Sequence, residues 1–408
     1  MKRKIFFLSI DGMTDPLGQS QVIPYLAGLS QKGFEICIIS CEKEGNLNKN
    51  KGIVGSLLEK HKIRWVYTLY SNAIPFVSQT LNVKRLQNLA DVEIRHLTEK
   101  PLLHCRSYLA ALAGLNLKKK YGVRFLFDMR GFWADERIDG KIWRLGNPLH
   151  WLAYRYFKRK EKQMLEGADC IVTLTREAKG IINAWLPDMQ TRIEVIPCCV
   201  DLAHFTIQSD SEKKSARWLA GIPPSNYVVG YLGSLGTWYM LDEMLAFFSE
   251  LLKTRKDATF FFITPDEPAG IYAAARQFKI PDSAVVVMPA KRNEVPAFIA
   301  TLDIGLFFIK PLFSKKGSSP TKLGELLACG IPVISNSGIG DCDKLFEETG
   351  CGVLVSAFDV PNYQKAIVHA EKMAEKDATF FRKLAEQEFS LEKGILCYEA
   401  LYNSDVLS

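Results

Sequence analysis

The run Ser318-Ser319-Pro320-Thr321-Lys322-Leu323-Gly324-Glu325 concentrates the groups that a phosphate ester would need. Read as the start of a helix, it has Ser319 as the capping hydroxyl and Pro320 at the first helical position, where no bonded N–H is given up. The uncapped N–H groups and the helix dipole favour an anion there, by about 0.3–1 kcal/mol for one exposed charge. Lys322 adds a full positive charge in the first turn, which opposes the dipole unless an anion lies between them. Glu325 follows one turn later on the same side, and a carboxylate that accepts two hydroxyls suits a ribose. The spacing also describes an ordinary Lys–Glu surface pair. The return through Gly330-Ile331-Pro332-Val333 to an apolar strand weighs toward a binding site.

Three further clusters follow apolar runs. Gly230-Tyr231-Leu232-Gly233-Ser234-Leu235-Gly236 could bring backbone N–H groups up to a phosphate, with Gly233 and Ser234 at the turn, and equally describes a tight turn. It is not the Gly-x-Gly-x-x-Gly dinucleotide fingerprint, which occurs nowhere in the chain. Arg106, in His104-Cys105-Arg106-Ser107-Tyr108, joins Asp128 and Arg130, in Asp128-Met129-Arg130-Gly131-Phe132-Trp133-Ala134-Asp135-Glu136-Arg137, as ionisable groups set among aromatics. Structural ion pairing is the alternative there. Asp341-Cys342-Asp343 has the Asp-x-Asp form that can hold a divalent cation, but such aspartates more often cap the next helix, and no metal site is expected.

These clusters need strands to hold them. Short, near-continuous apolar runs recur at Lys4–Ser9, Glu35–Ser40, Leu102–Cys105, Arg124–Asp128, Cys170–Leu174 and Arg192–Ile196. They recur again at Val228–Tyr231, Thr259–Ile263, Ala284–Met288, Ile304–Phe308, Pro332–Ser335 and Gly352–Val355. Such runs suit parallel strands buried on both faces, and the helical patterns between them predict right-handed βαβ units in doubly wound α/β sheets. A break at Pro197-Cys198-Cys199-Val200-Asp201 marks the interdomain linker, and Glu386–Leu401 reads as one amphipathic helix. Ligands of open parallel sheets gather beyond the carboxyl ends of the strands, where the charged clusters fall.

Composition narrows the function classes. The chain has 408 residues, 48% of them hydrophobic and 24% charged, which excludes a disordered protein and is enough for two or three domain cores. No apolar run is long enough to span a membrane. The apolar start Ile5–Ile10 stops at Asp11 without a small-residue cleavage site, so a buried first strand is expected in place of a signal peptide. Ten scattered cysteines without Cys-x-x-Cys fit neither zinc nor a disulfide framework; they read as buried apolar residues in a cytoplasmic protein. Net charge is +7, yet residues 1–200 hold 31 Lys and Arg against 19 Asp and Glu, leaving the remainder acidic. No nucleic-acid motif accompanies the basic half, so an anionic membrane or a phosphate-bearing substrate is the expected partner. Trp143 to Leu165 alternates aromatics with Arg155, Lys158, Arg159, Lys160 and Lys162, a pattern for a helix on a membrane interface or for a solvated helix with one core face.

The Ser318–Ile334 segment resembles the donor-binding motif of family 4 glycosyltransferases, retaining enzymes of GT-B fold. Asp11-Gly12-Met13-Thr14-Asp15-Pro16-Leu17-Gly18-Gln19-Ser20-Gln21 is similar to that family's first Gly-containing loop. Ala168-Asp169-Cys170-Ile171-Val172 resembles its Ala-Asp strand, and Ile196-Pro197-Cys198-Cys199-Val200-Asp201 its linker. The resemblance implies two Rossmann-like domains facing across a cleft. An acceptor domain would occupy 1–200 with helix 387–408 packed back on it, and a nucleotide-sugar domain 201–386. It implies that Lys322, Ser318, Ser319, Gly233, Ser234, Gly18 and Gln19 meet the diphosphate, Glu325 the ribose, and Ala290 and Lys291 the base. Arg106, Arg130 and Asp128 would be the catalytic residues. Two departures stand out: Gly317 replaces the first glutamate of the Glu-x7-Glu motif, and Ser234 and Tyr239 replace the Arg and Lys of the diphosphate clamp.

The expected activity is therefore transfer of a sugar from a nucleotide diphosphate, UDP before GDP, to a glycan or lipid-linked acceptor, with no cofactor. Two alternatives remain at this point. A nucleotide-sugar epimerase would need His104 in the sugar pocket, and a non-catalytic sugar-nucleotide-binding module would fit the two departures.

Overall fold

The computed structural model describes residues 3–72, 77–373 and 376–407. The chain divides into two units, Met1–Pro197 with Leu391–Ser408, and Cys198–Ser390. The first unit carries β1 (Lys4–Ser9), β2 (Glu35–Glu42), β3 (Arg64–Leu69), β4 (Leu102–Arg106), β5 (Phe125–Asp128), β6 (Cys170–Thr173) and β7 (Arg192–Val195). They form one sheet in the order β3-β2-β1-β4-β5-β6-β7, with every pairing parallel. The second unit carries β8 (Tyr227–Leu232), β9 (Ala258–Ile263), β10 (Val285–Met288), β11 (Ile304–Phe307), β12 (Val333–Asn336) and β13 (Gly352–Val355). Its sheet runs β10-β9-β8-β11-β12-β13, again all parallel. These are the two Rossmann-like domains that the alternating apolar runs call for.

The central strands are buried throughout because they carry apolar residues on both faces: Phe125, Leu126 and Phe127 in one unit, Phe260, Phe261 and Phe262 in the other. β3 was not among the expected strands. Arg64-Trp65-Val66-Tyr67-Thr68-Leu69 lies at the sheet edge, its residues half-buried or exposed, and so lacks the continuous apolar signal. The single helix expected over Glu386–Leu401 is two, Ala378–Glu388 and Leu391–Tyr402. Between them the Val200 N–H donates to the Phe389 carbonyl at 2.7 Å and Val200 pairs with Ser390, so the return crossing follows Ser390 where the sequence suggested 386.

Sheet order fixes where ligands can gather. The strand order reverses between β1 and β4 in the first unit and between β8 and β11 in the second, the crevices that doubly wound sheets use for binding. Register aligns the strand ends: Ser9 pairs with Arg106 and Arg106 with Asp128. In the second unit Leu232 and Met288 both pair with Ile263, which brings the loops after β8, β9 and β10 to one edge.

Candidate active site

In the second unit the loop after β8 turns at Gly233, whose φ of 93° is a left-handed value that glycine takes without strain. A Cβ at Gly233 would stand 3.9 Å from Lys322 Nζ, so the two expected residues meet. Lys322 lies on the helix Thr321–Ala328 and is buried. Its ammonium sits 3.9 Å from the centre of the Tyr231 ring and 3.5 Å from that of Tyr239, and it has no hydrogen-bond partner among the described residues. Burial drives its pKa well below the usual lysine range, with Glu325 and Asp266 opposing that shift. A buried cation in contact with π faces, with carboxylates only at a distance, is incompletely paired, and an anion would complete it. Glu325 is half-buried beside it; burial raises its carboxyl, and Arg292 and Lys322 pull it back.

Other expected groups are already engaged. Ser319 does not cap the helix: the helix begins at Thr321 with Pro320 at the cap position, and Ser319 Oγ accepts the Cys198 N–H at 3.1 Å. A proline before the first turn offers no capping side chain, and the hydroxyl upstream serves the interdomain segment. Ser318 donates its N–H to the Lys315 carbonyl. In the glycine loop, the Gly233 N–H bonds the Ile263 carbonyl, and Asp266 accepts from both Ser234 Oγ (2.7 Å) and the Leu235 N–H (2.6 Å). Burial works to raise Asp266, yet those donors hold its carboxyl below the ordinary value. Asp266 was missed, although its place just after β9 was a usable signal. Ala290 and Lys291 follow β10; the Lys291 N–H donates to Glu294 at 2.8 Å, while its side chain is exposed. Asp343 of the Asp-x-Asp run accepts the Gly338 N–H through both oxygens. Among the described residues, no group of three His, Cys, Asp or Glu is placed to hold a metal.

In the first unit Asp128 is buried at the centre of a charged cluster. Its oxygens lie 3.5 Å from His104 Nε2, 3.8 Å from Arg106 Nη1 and 3.8 Å from Arg130 Nη1. Burial alone would raise this carboxyl, but Arg130, His104 and Arg106 hold it below the usual aspartate value. His104 is pushed down by burial, against the pull of Asp128, and its Nδ1 bonds the Tyr402 hydroxyl at 2.6 Å. Arg106, Asp128 and Arg130 thus come together with His104, and Tyr402 is the member that the sequence did not point to. Arg130 and Ser107 both take left-handed backbone (φ 60° and 66°), strain of a kind that clusters at functional sites. Gly18 packs tightly, since a Cβ there would lie 2.2 Å from the Gly12 carbonyl oxygen. Gln19 bonds Asp15 and Thr14 carbonyls through its N–H and its side chain. The neighbouring Met13 and Thr14 N–H groups are taken by the buried Glu42 carboxylate. The cysteines of the chain are free, and all but Cys397 are buried.

Solved structures superpose over nearly the whole chain. Sucrose-phosphate synthase from Thermosynechococcus elongatus does so with a TM-score of 0.73 at 14% identity, covering 98% of each chain. HepE from Anabaena, solved with UDP and glucose, does so with a TM-score of 0.70 at 15% identity, covering 98% of this chain and all of that one. The fold is GT-B. Residues 18–204 match the model of Glycosyltransferase Family 4, and residues 226–372 that of Glycosyl transferases group 1. The chain belongs to the family 4 glycosyltransferases. A D-inositol 3-phosphate glycosyltransferase from Segniliparus rotundus is 24% identical over 271 residues, 65% of this chain and 57% of that protein. The chain spans about half the length of the curated relatives it matches.

Proposed function

We propose that the protein transfers a sugar, with retention, from a nucleotide diphosphate to a hydroxyl of a glycan or lipid-linked acceptor, UDP being the first choice of nucleotide and GDP the second. The observation that carries this reading is the buried Lys322 ammonium without a hydrogen-bond partner among the described residues, beside the Gly233 turn. The diphosphate supplies the missing anion. With the Gly233 and Leu235 N–H groups and the Ser234 hydroxyl engaged, Lys322 and the Ser318 and Ser319 hydroxyls carry the contact. Glu325 takes the ribose hydroxyls, and the Ala290–Lys291 backbone faces the base.

The acceptor is bound by the first unit, where Arg106 and Arg130 offset negative charge and Asp128 fixes their positions. In the transfer the bond from the anomeric carbon to the phosphate oxygen breaks and a bond to the acceptor oxygen forms on the same face. The acceptor proton passes to the departing phosphate oxygen. Such a step asks the protein for orientation and charge stabilisation, without a dedicated base. An epimerase reading loses its support, because both His104 nitrogens are engaged by Tyr402 and Asp128.

The test is a thermal-shift series with UDP, GDP and UDP-sugars, followed by product analysis with a UDP-sugar alone. Binding of UDP with slow release of free sugar supports the transferase; an epimerised nucleotide sugar or absence of nucleotide binding overturns it.

We also propose that the first unit rests on the cytoplasmic face of an anionic membrane. No helix among the described residues is long and apolar enough to cross one. Ile142, Leu145, Leu149, Trp151 and Leu152 are exposed on and before the helix Pro148–Gly167, Leu149 by 70%, with Arg144, Arg155 and Arg159 exposed among them. Apolar insertion with flanking cations fits an interfacial segment. Co-sedimentation with phosphatidylglycerol vesicles, but not with phosphatidylcholine vesicles, is expected; equal recovery in both supernatants would refute it.

A further inference from the structure

A second cavity lies in the first unit, at the β1–β4 reversal, with a volume of about 150 Å³. Arg106 and Ser107 line it from the end of β4, Trp133 and Arg137 from the helix Trp133–Asp139, and Asp11, Asp15, Lys43, Tyr70 and Gln79 add to its polar wall. Its charges are unevenly matched. Lys43 is paired with Asp15 at 2.8 Å, and Arg106 lies between Asp11 and Asp128. Arg137 has no carboxylate within ion-pair distance among the described residues; its guanidinium lies 4.6 Å from the centre of the Trp133 ring. Burial lowers its pKa against the opposing fields of Glu136, Tyr70 and Asp11, so this cation is partly dehydrated with its nearest carboxylates beyond direct contact. The Gln79 Oε1 is buried and accepts no hydrogen bond among the described residues. One wall therefore presents a guanidinium with no carboxylate in direct contact, and another an amide oxygen without a donor, among the described residues.

We propose that this cavity holds the acceptor, and that the acceptor is an anionic sugar or polyol, with its phosphate or carboxylate against Arg137 and a hydroxyl donating to Gln79 Oε1. Guanidinium recognises both anions through paired N–H groups, and the Trp133 face holds the fork in place. The inference rests on the glycosyl-transfer reading, but concerns only the acceptor side.

The test uses glucose, glucuronate, glucose 6-phosphate and inorganic phosphate as probes, with UDP as a separate control for the other unit. Calorimetry should detect glucuronate or glucose 6-phosphate and not glucose, the stronger of the two identifying the anion. Arg137→Met should weaken that binding by about tenfold or more. Gln79→Leu should weaken it by several-fold. Both variants should keep the wild-type rise in melting temperature with UDP, which also shows them folded. Glucose binding as well as its charged analogues would overturn the proposal, as would inorganic phosphate binding as well as the sugar phosphate. So would both variants retaining wild-type affinity. Loss of the UDP response in the wild type would instead sink the transferase reading.

Discussion

The Nζ of Lys322 lies 3.5 Å from the centre of the ring of Tyr239, the residue that the family resemblance puts at the lysine position of a diphosphate clamp. An aromatic face thus stands where that resemblance implies a second cation. Two π faces, Tyr231 and Tyr239, offset part of the cost of burying one ammonium, at about 2 kcal/mol for a dehydrated contact. Glu325 and Asp266 offset a further part, and on the proposed function a bound diphosphate would offset the rest.

Lys322→Met keeps the length of the side chain and removes the buried charge. The ligand-free variant should unfold at higher urea, a gain of about 1–3 kcal/mol, while losing the rise in melting temperature with UDP. A destabilised variant that still responds to UDP would contradict this site.

The depressed pKa of Lys322 gives a second expectation. The unfolded chain binds this proton up to about pH 10.4, the folded chain only to a lower pH, so ligand-free stability rises with pH between the two values. Diphosphate favours the protonated form, so the UDP-induced shift should shrink over the same range. Comparison with Lys322→Met isolates the effect, since the variant lacks the titrating group.

Acid should act through His104 and Asp128. His104 resists protonation in the folded state, so stability falls as pH drops below about 6.5. Asp128 is depressed, so its contribution is full above about pH 3.9 and is lost as pH falls through its lowered folded value. In urea titrations from pH 5 to 7, His104→Asn should flatten the slope by up to about 1.4 kcal/mol per pH unit. An unchanged slope would show that His104 does not titrate in this window.

Two glycines make opposite predictions. Gly18→Ala would put a methyl 2.2 Å from the Gly12 carbonyl oxygen and 2.7 Å from Met13 Cα, costing about 1–3 kcal/mol and displacing the loop. Gly52 lies exposed in the helix Glu44–Lys60 with open space around it, so Gly52→Ala should stabilise by about 0.5–1 kcal/mol. Chemical denaturation of the pair checks both signs.

Much of this was legible in the residues, and the remainder was hidden for physical reasons. Continuous apolar strands such as Thr259–Ile263 announce a buried parallel sheet, whereas β3 exposes its edge and mixes polarity. The meeting of Lys322 with Gly233 follows from both lying at strand ends. The Ser319 bond to Cys198 does not, because a capping hydroxyl and one that binds a distant segment have the same local sequence. Tyr402 reaches His104 across 298 positions, a contact that no local pattern encodes.

That last contact sets an order of events at the ribosome. The helix Leu391–Tyr402 is made only after all of Cys198–Ser390, so the nascent first unit waits about 10–40 s at ordinary translation rates for the tyrosine that closes over its histidine. Until then His104 lacks its Tyr402 partner, and the whole of the second unit has been synthesised before the first is complete.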